Sequence, residues 1–310
     1  MRKQRSGAGP LVWPGGDSGS DRSFLPKAMG GPFLSLVILT YNTRDLVVRC
    51  LERLYEQAFS WGWQVIVVDN GSTDDTIAVL SEKFPSATLI RSEKNLGFAG
   101  GMNLGLRVAI GRVIVLMNSD VLASAETLKA AAEALLSREQ AGALSPLLRM
   151  PDGRPQPFAF GKDQSPWYLL ARGLKALLGL GPMHRWDVRQ PIEVDWISGA
   201  CMLVRQEVVE QIGLLDKRFF LYFEDNDWCL RMRKAGWRVF YDPRFEVIHL
   251  GGASLPQRSR ASEIYYRSLI LFTAKHYGPV MAWMIRVPLK IYRGLRNRRS
   301  DYGLEEQRCP

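Results

Sequence analysis

The sequence predicts an α/β fold in which helices flank a mostly parallel, Rossmann-like sheet. Three observations predict it. Apolar, β-branched runs alternate with amphipathic stretches of helical period in the order βαβαβαβ. The runs are apolar throughout, as expected of strands that are covered on both faces. Each run ends in small, polar or acidic residues, which lie at the carboxyl edge where such sheets bind ligands.

The amino-terminal half contains four predicted strands and the helices between them. Thr43 is placed to cap the first helix, in which apolar residues recur at spacings of three and four. Thr73 and the two aspartates after it open the second helix, and glycines from Gly97 onward allow the third helix to approach the sheet closely. The predicted strands are residues 35–40, 64–69, 87–92 and 112–117.

The pattern becomes less regular after Asp120, which indicates a smaller second portion. Its predicted elements are a helix at 123–137, a strand and turn at 142–156, a helical stretch at 165–183, a strand-like segment at 194–204, a helix at 224–235, and strands at 238–241 and 245–249. The helical stretch contains Trp167 and paired leucines but is interrupted by Arg172 and Lys175. It fits a packing helix, and it also fits a lid or an acceptor-side surface.

Composition places the chain among globular proteins with an uneven positive charge. Its 310 residues can bury one sizeable core, and its 46% hydrophobic and 23% charged residues are ordinary values. The formal net charge is +10, and residues 286–299 contain six basic residues and no acid. Such a segment fits an anionic surface. A membrane is the better interpretation than a nucleic acid, because interleaved stacking aromatics and a reading motif are missing.

Cysteine usage and the amino terminus favour a cytoplasmic location. The cysteines are Cys50, Cys201, Cys229 and Cys309. They form no C-x-x-C pair, which argues against a zinc site and against a disulfide framework. Residues 1–33 are basic and rich in Gly, Pro and Ser without a long apolar core, so we expect a disordered segment and no secretory signal.

The chain shows no run of the roughly 18 apolar residues that a transmembrane helix needs. Residues 265–292 come nearest, but charged residues interrupt them. They fit an amphipathic helix lying on a membrane surface, and they equally fit a core helix followed by a basic tail.

Polar residues at the ends of the first two strands predict a nucleotide site. Asp69 ends the second strand, and its carboxylate can accept hydrogen bonds from a base N–H or a ribose hydroxyl. Taken alone, such an aspartate is more often a turn or capping residue. The adjacent strand ends in Thr40, Tyr41 and Asn42, and this juxtaposition favours a binding role.

Asn118, Ser119 and Asp120 follow the fourth strand and predict a metal site. Side chains repeat every two residues in an extended segment, so Asn118 and Asp120 point the same way. A divalent cation held by a carboxylate would neutralise a diphosphate and its leaving oxygen. His249 ends a later strand before two glycines and is the candidate second ligand, although a lone histidine there is more often structural.

An acidic helix start supplies the candidate catalytic base. Glu224 and Asp225 follow the run FFLYF, which would bury them in a dry pocket. The structural interpretation is that the helix dipole stabilises acids at this position. A general base must take a proton from an attacking hydroxyl, and Asp225 is the candidate. Trp196, Gly199 and Ala200 would line the sugar or acceptor pocket together with Glu224.

Seven motifs in order resemble the family 2 glycosyltransferases of the GT-A fold, in their rhamnosyltransferase-like branch. The motifs are LVILTYNTRD, VVDNGSTDDT, KNLGFAGGMNLG, VLMNSD, WISGACMLVR, GLLDKRFFLYFEDNDWCLRMRKAGW and VIHLGGAS. The resemblance implies a GT-A domain over residues 34–260. It would comprise a nucleotide-binding half at 34–122 and an acceptor and catalytic half at 123–260, with a basic helical extension at 261–310.

The resemblance also implies residue roles. Tyr41 and Asp69 would hold the base, and Asp225 would be the base of an inverting single displacement. Asp120 would be the acid of the D-x-D position with His249 as its metal partner. The remaining residues of the nucleotide-sugar site would be Thr40, Asn42, Asn95, Gly97, Asn103, Asn118 and Ser119. Asn118 stands where the D-x-D pattern has an acid, as is common in this branch.

We therefore expect an inverting glycosyltransferase that depends on Mg²⁺ or Mn²⁺. It would transfer a sugar such as rhamnose from a nucleotide diphosphate sugar to a lipid-linked or polysaccharide acceptor of the cell envelope. It would act in the cytoplasm, peripherally at the inner face of the cytoplasmic membrane. The residues alone leave two alternatives, a nucleotidyltransferase and a catalytically silent nucleotide-sugar-binding protein. A nucleotidyltransferase would want a Gly-rich basic loop where this chain has TYNTRD.

Overall fold

The computed structural model describes residues 11–13, 31–181, 183, 185–251 and 258–286, and it confirms the α/β class. The chain divides into two compact units, residues 1–163 with 184–256 and residues 164–183 with 257–310. The sequence placed a boundary at residue 260 and assigned 164–183 to the preceding domain. In the structure that stretch groups with the carboxyl-terminal segment instead.

The strands of the central sheet are rich in apolar residues, and several end in a polar or charged one. The described strands are β1 (Leu11–Trp13), β2 (Leu34–Thr40), β3 (Gln64–Asp69), β4 (Thr88–Ser92), β5 (Val113–Asn118), β6 (Val121–Leu122), β7 (Ala141–Arg149), β8 (Phe160–Gly161), β9 (Ile192–Val194), β10 (Trp196–Ile197), β11 (Cys201–Arg205) and β12 (Arg238–His249).

One sheet forms the centre of the first unit. Its strand order is β1-β4-β3-β2-β5-β11-β7-β12-β6, and β9 also pairs with β12. The strands from β1 to β5 pair in parallel, whereas β11 runs antiparallel to both of its neighbours. Thr40 is in register with Asp69, and Leu39 is in register with Asn118. The chain segments that follow β2, β3 and β5 therefore emerge side by side at the carboxyl edge.

Helices cover the sheet. The described helices are α1 (Arg44–Glu52), α2 (Tyr55–Ser60), α3 (Thr76–Lys83), α4 (Gly97–Val108), α5 (Ala125–Leu136), α6 (Pro166–Leu177), α7 (Gln206–Ile212), α8 (Glu224–Lys234) and α9 (Arg258–Tyr277), and residues 279–286 are also helical. Gly105 lets α4 lie directly on the sheet, because a Cβ there would come within 2.3 Å of Val37 and 3.1 Å of Val68.

Several local predictions need correction. Thr43 occupies the N-cap position of α1 but makes no side-chain capping bond, because its hydroxyl bonds to other hydroxyls. The strand-like segment 194–204 divides among β9, β10 and β11, and the two predicted strands after residue 238 are one strand, β12, with an irregular register. The expected disorder of residues 1–33 is wrong for Leu11–Trp13, which pair with β4; residues 1–10 and 14–30 lie outside the described residues.

None of the helices in the described ranges is both long and apolar enough to cross a bilayer. Cys50, Cys201 and Cys229 are buried thiols, and Cys309 lies outside the described residues.

Candidate active site

Asp120 and His249 meet at the carboxyl edge because β6 pairs with the end of β12. His249 lies opposite Val121 in this antiparallel ladder, and the Leu250 N–H donates to the Asp120 carbonyl at 2.9 Å. This backbone register brings Asp120 Oδ1 to 3.1 Å from His249 Nε2. The two predicted metal ligands, 129 residues apart in sequence, are thus in direct contact.

Gln156 orients His249, and sequence reasoning missed it. Its Oε1 lies 2.5 Å from His249 Nδ1. An amide oxygen can only accept, so Nδ1 carries the proton and a neutral ring presents a lone pair on Nε2. The Gln156 backbone N–H donates to Leu148 O at 2.8 Å, which fixes the residue beside β7. The sequence contained no signal for this contact, since a glutamine after a strand and turn is usually a surface residue.

The Asp120 and His249 pair fits a divalent cation. Two acceptor atoms 3.1 Å apart repel each other unless a proton or a cation lies between them. Ligand atoms that sit about 2.1 Å from a metal ion at right angles are about 3.0 Å apart, which is close to the observed separation. No cluster of three or more His, Cys, Asp or Glu side chains in the described ranges could hold a metal. Further ligands would come from substrate oxygens and water, as is usual for Mg²⁺.

The Glu224 and Asp225 pair begins α8 after a strained turn. Tyr222 and Phe223 have φ values of 67° and 70°, in the left-handed region that non-glycine residues rarely adopt. Burial raises the pKa of Asp225, while hydrogen bonds from Gly199 N at 3.2 Å and Asn226 N at 2.8 Å oppose that shift. Burial and the charge of Asp225 raise the pKa of Glu224 well above its ordinary value, and Glu224 Oε2 is buried without a partner among the described residues.

These environments give the two carboxyl groups different roles. The carboxylate of Asp225 accepts two backbone hydrogen bonds that favour its ionised form. Glu224 has no such donor at Oε2 and lies beside a negative charge. The pKa of Glu224 is therefore raised further than that of Asp225, which makes Asp225 the more acidic member of the pair.

Backbone contacts connect Asp225 to the strand end that leads to Asp120. Gly199 N donates to Asp225, and the next residue accepts a hydrogen bond from Asn118 N through its carbonyl, Ala200 O, at 2.9 Å. A Cβ on Gly199 would lie 3.0 Å from the ring of Phe98, so a glycine is needed for this close approach. The predicted catalytic and metal-binding residues therefore share the carboxyl edge of one sheet.

Asp69 lies at the same edge with one acceptor atom unused. Its Oδ1 accepts from Ser72 N at 3.2 Å. Its Oδ2 is fully buried without a hydrogen bond among the described residues, and the nearest cation is Arg91 Nε at 3.8 Å. Burial is the main cause that raises the pKa of Asp69. A buried acceptor that lacks a donor is suited to a ligand N–H or hydroxyl.

Other predicted nucleotide residues bond to neighbouring loops. Asn42, in the left-handed region at φ 51°, accepts from Thr73 N at 2.8 Å, and its own N–H donates to Ser72 Oγ at 2.9 Å. Asn95 Oδ1 accepts from Gly97 N at 2.8 Å. These bonds fix the shape of the loops after β2 and β4 before any ligand binds.

Asn70, which follows β3, links the same loops. Its Nδ2 donates to Asn95 Oδ1 at 3.1 Å and to Gly97 O at 3.0 Å, and its Oδ1 accepts from Leu96 N at 3.0 Å. A buried amide that makes three such bonds acts as a clamp between the ends of β3 and β4.

Asn103 is also a clamp. Its Nδ2 donates to Leu215 O at 2.8 Å and its Oδ1 accepts from Leu215 N at 3.0 Å. Both ends of the amide are occupied by the protein backbone, which explains the residue without a ligand. A place beside the ribose or diphosphate therefore gains no support from these contacts.

The hydroxyl groups of Thr40 and Ser119 are bonded within the protein. Thr43 Oγ1 lies 2.9 Å from Thr40 Oγ1 and 2.9 Å from Ser119 Oγ. Trp196 Nε1 donates to Lys162 O at 2.9 Å, so its ring is held against β8 while remaining half-buried. Tyr41 is likewise half-buried at the end of β2.

Comparisons with known proteins give consistent matches. The family model for Glycosyl transferase family 2 matches residues 35–213, which is more than half of the chain. The chain is 32% identical over 294 residues to the N-acetylglucosaminyl-diphospho-decaprenol L-rhamnosyltransferase of Mycobacterium tuberculosis (strain H37Rv), covering 86% of this chain and 94% of that protein. It is 23% identical over 257 residues to the dTDP-rhamnosyl transferase RfbF of Shigella flexneri, covering 79% and 81%.

Solved structures share the fold. The mannosyltransferase PcManGT of Pyrobaculum calidifontis, in complex with GDP-Man and Mn²⁺, superposes with a TM-score of 0.53 at 21% identity, covering 82% of this chain and 66% of that one. Staphylococcus aureus TarS 1–349 gives a TM-score of 0.51 at 18% identity, covering 78% and 64%. The chain thus spans slightly under two thirds of each of these solved chains. At such identities the likeness concerns the fold alone, and it confirms the predicted GT-A class.

Proposed function

The chain belongs to glycosyl transferase family 2, and on that basis we propose that it transfers rhamnose to a lipid-linked glycan by a metal-dependent, inverting displacement. The family and the rhamnosyltransferase-like branch predicted from the motifs are confirmed. The chain is accordingly a hexosyltransferase acting on nucleotide sugars. The nucleotidyltransferase and silent-protein interpretations are set aside on this ground.

The observation that carries the mechanism is the Glu224 and Asp225 pair, which is joined through Gly199 to the strand end that leads to Asp120. A general base works best when its pKa is raised towards the operating pH while it still ionises first among its neighbours. Burial raises the pKa of Asp225, and backbone N–H groups keep it the more acidic member of the pair. These properties support Asp225 as the base.

The proposed reaction is a single displacement at the anomeric carbon of the donor. The acceptor hydroxyl oxygen attacks the anomeric carbon of the donor as Asp225 Oδ takes its proton. The bond between the anomeric carbon and the phosphate oxygen breaks, and the nucleoside diphosphate leaves with that electron pair. A single displacement from the opposite face inverts the anomeric configuration. Glu224, whose pKa is raised by burial and by the charge of Asp225, would lie beside the base in the sugar and acceptor pocket.

Asp120 Oδ1 and His249 Nε2 would hold Mg²⁺ or Mn²⁺, and Asn118 would contribute to the same edge. The bound cation would offset the negative charge of the diphosphate as it departs. The 3.1 Å distance between the two atoms, which is close to that of two ligands at right angles around a cation, supports this role. The presence of Mn²⁺ in the fold-related mannosyltransferase also supports it. Gln156 keeps the Nε2 lone pair of His249 directed towards Asp120.

Asp69 and Tyr41 would bind the nucleotide base. The unused Oδ2 of Asp69 suits a base N–H or a ribose hydroxyl, and the half-buried Tyr41 directly follows Thr40, which is in register with Asp69. Asn42, Asn95 and Gly97 would shape the surrounding loops. dTDP-rhamnose is the donor that we propose first, because the Shigella flexneri relative is a dTDP-rhamnosyl transferase.

The acceptor would be a sugar attached to a polyprenyl diphosphate. The Mycobacterium tuberculosis relative acts on N-acetylglucosaminyl-diphospho-decaprenol, as its name states, and it matches the chain along nearly its full length. Such an acceptor is anchored in a membrane, so the enzyme would work peripherally at the cytoplasmic face. The basic residues from Arg286 onward agree with that position.

The test is a donor screen with a product assay. Purified enzyme is incubated with dTDP-rhamnose, UDP-sugars or GDP-sugars, Mn²⁺ or Mg²⁺, and a short-chain polyprenyl-diphosphate N-acetylglucosamine. We expect release of dTDP and a rhamnosylated lipid whose anomeric configuration is opposite to that of the donor. Retained configuration would refute the single displacement, and release of pyrophosphate would refute glycosyl transfer.

A further inference from the structure

Helix α6, in the second compact unit, presents an apolar stripe to solvent. Trp167, Leu170 and Leu174 are 75%, 63% and 57% exposed. They are spaced three and four residues apart, and a rotation of about 100° per residue places them on one side of the helix. Leu178, just beyond the helix, is 63% exposed at the next position of the same series. A contiguous exposed stripe of this kind marks an interaction surface rather than scattered surface residues.

The same unit contains a second stripe of similar character. In the helical residues 279–286, Val280, Trp283 and Met284 are 68%, 66% and 53% exposed at spacings of three and one. Each stripe combines a tryptophan with aliphatic side chains. That combination is typical of helices that lie in the interface of a membrane, where the indole sits at headgroup level.

The charge of the unit selects the kind of partner. Residues 164–183 include Arg172 and Lys175 and no acid. The described residues 258–286 include five basic residues and one acid, Glu263. A second copy of such a surface would be repelled by its own charge, whereas anionic lipid headgroups would be attracted to it.

We propose that α6 is a membrane-docking helix that lies in the interface of an anionic bilayer. Trp167, Leu170 and Leu174 insert among the acyl chains and headgroups, and the net positive charge of the unit attracts the anionic lipid surface. This inference rests on the proposed function, because a lipid-linked acceptor would be presented to the enzyme at a membrane. Docking itself requires no sugar transfer and is measured without it.

The experiment is vesicle flotation with the full-length chain, without donor or acceptor. One set of vesicles contains phosphatidylcholine with phosphatidylglycerol, and the other contains phosphatidylcholine alone. The test variant is Leu170→Gln with Leu174→Gln. The matched control is Phe59→Gln with Ile110→Gln, two residues of the first unit that are 55% and 44% exposed. Circular dichroism and thermal melting verify that each variant is folded.

We expect the wild type and the control to float with the anionic vesicles. The partition coefficient of the test variant should fall by about tenfold or more, since two inserted leucines are lost. A second variant, Arg172→Gln with Lys175→Gln, should bind anionic vesicles several-fold less and neutral vesicles unchanged. Wild-type flotation by the leucine variant would overturn the proposal, as would a wild-type dimer that the leucine changes dissociate.

A parallel assay separates this inference from the proposed function. Transfer to a water-soluble acceptor analogue is measured without vesicles for the wild type and the leucine variant. Equal transfer with lost flotation supports docking by α6. Flotation by a wild type that releases no nucleoside diphosphate from any donor would refute the proposed function while leaving the docking helix intact.

Discussion

The loops after β2, β3 and β4 are held mostly by hydrogen bonds to one another. The region around Asp120 and Asp225, in contrast, contains a buried carboxyl oxygen without a partner among the described residues. On the nucleotide side, the side chains of Asn42, Asn70 and Asn103 each make a hydrogen bond to the protein backbone. On the catalytic side, Glu224 Oε2 has no partner among the described residues, and Asp120 Oδ1 lies 3.1 Å from His249 Nε2. The first region is a preformed frame, and in the proposed function the second would be completed by substrate and metal.

Polar residues at the strand ends therefore serve two purposes, since some fix the shape of loops and others are candidates to contact substrate. Loops whose polar groups already bond to one another keep their shape before a ligand binds, so less conformational entropy is lost on binding. Buried carboxyl groups without donors are unfavourable in the absence of ligand, and their perturbed pKa values are typical of functional sites. Substitutions should therefore separate chemistry from stability according to which region they affect.

The largest effect is expected for Asp225→Asn. An amide cannot take the proton of the acceptor hydroxyl, so kcat should fall by about 10²–10⁴-fold while donor binding persists. Steady-state kinetics with dTDP-rhamnose and calorimetric binding of dTDP would measure the two quantities. The wild-type rate should fall as the pH drops through the pKa of Asp225, because the base becomes protonated, and since burial raises that pKa, the limb should lie at a higher pH than for an ordinary aspartate. The variant should lack the limb.

Asp227→Asn is the matched control on the same helix turn. Asp227 lies two residues beyond Asp225 and is buried. Its carboxylate is ion-paired to Arg231 Nε at 2.9 Å. Its loss should lower the melting temperature and leave kcat within a few-fold of wild type. Comparable losses of kcat in Asp225→Asn and Asp227→Asn would contradict the assignment of the base.

The next largest effect concerns Gln156, which sequence reasoning did not identify. Gln156→Ala removes the acceptor that fixes the His249 ring, so we expect Mn²⁺ affinity to weaken by about 10–100-fold. Electron paramagnetic resonance of free Mn²⁺ reads this affinity without any turnover. Gln211→Ala is the control, because Gln211 Oε1 accepts from the Trp237 ring nitrogen at 2.6 Å away from the predicted metal pair. Unchanged Mn²⁺ binding in Gln156→Ala would refute the orienting role.

The sequence predicted the sheet and its carboxyl edge well because each strand is locally encoded. Continuous apolar runs and the residues that end them specify β2, β3 and β5, and parallel pairing then places Asp69 and Asp120 at one edge. The contact between Asp120 and His249 depends on the register of β6 with β12, which no short pattern encodes. The sequence offered His249 as a candidate second ligand from its place before two glycines, and the family resemblance implied the same partner, but neither specified the contact.

Two kinds of feature could not be predicted from the sequence. Gln156 and Leu215 act through contacts with residues about a hundred positions away, so their roles exist only after folding. The amphipathic pattern of α6 was visible, but periodicity does not tell whether an apolar face packs inward or remains exposed. Its exposed side chains decide that question.

A smaller effect is expected for Asp69→Asn. The change can replace the unused acceptor Oδ2 with an N–H donor, which would oppose a base N–H, so the KM for the donor should rise about tenfold with little change in kcat. The control is Asp74→Asn in the same loop, because Asp74 Oδ1 accepts a hydrogen bond from Thr76 N. A KM that rises equally in both variants would point to loop distortion instead of a lost base contact.

The smallest effect on catalysis is expected for Asn103→Ala, which tests the frame itself. Removing the amide leaves Leu215 N and O without partners, so the free energy of unfolding should fall by about 1–3 kcal/mol. Urea unfolding measures this loss, while kcat and the KM for the donor, measured where the variant is folded, should stay within about twofold of wild type because both ends of the amide bond to the Leu215 backbone. A raised KM at unchanged stability would reverse the assignment and return Asn103 to the nucleotide site that the family resemblance implied.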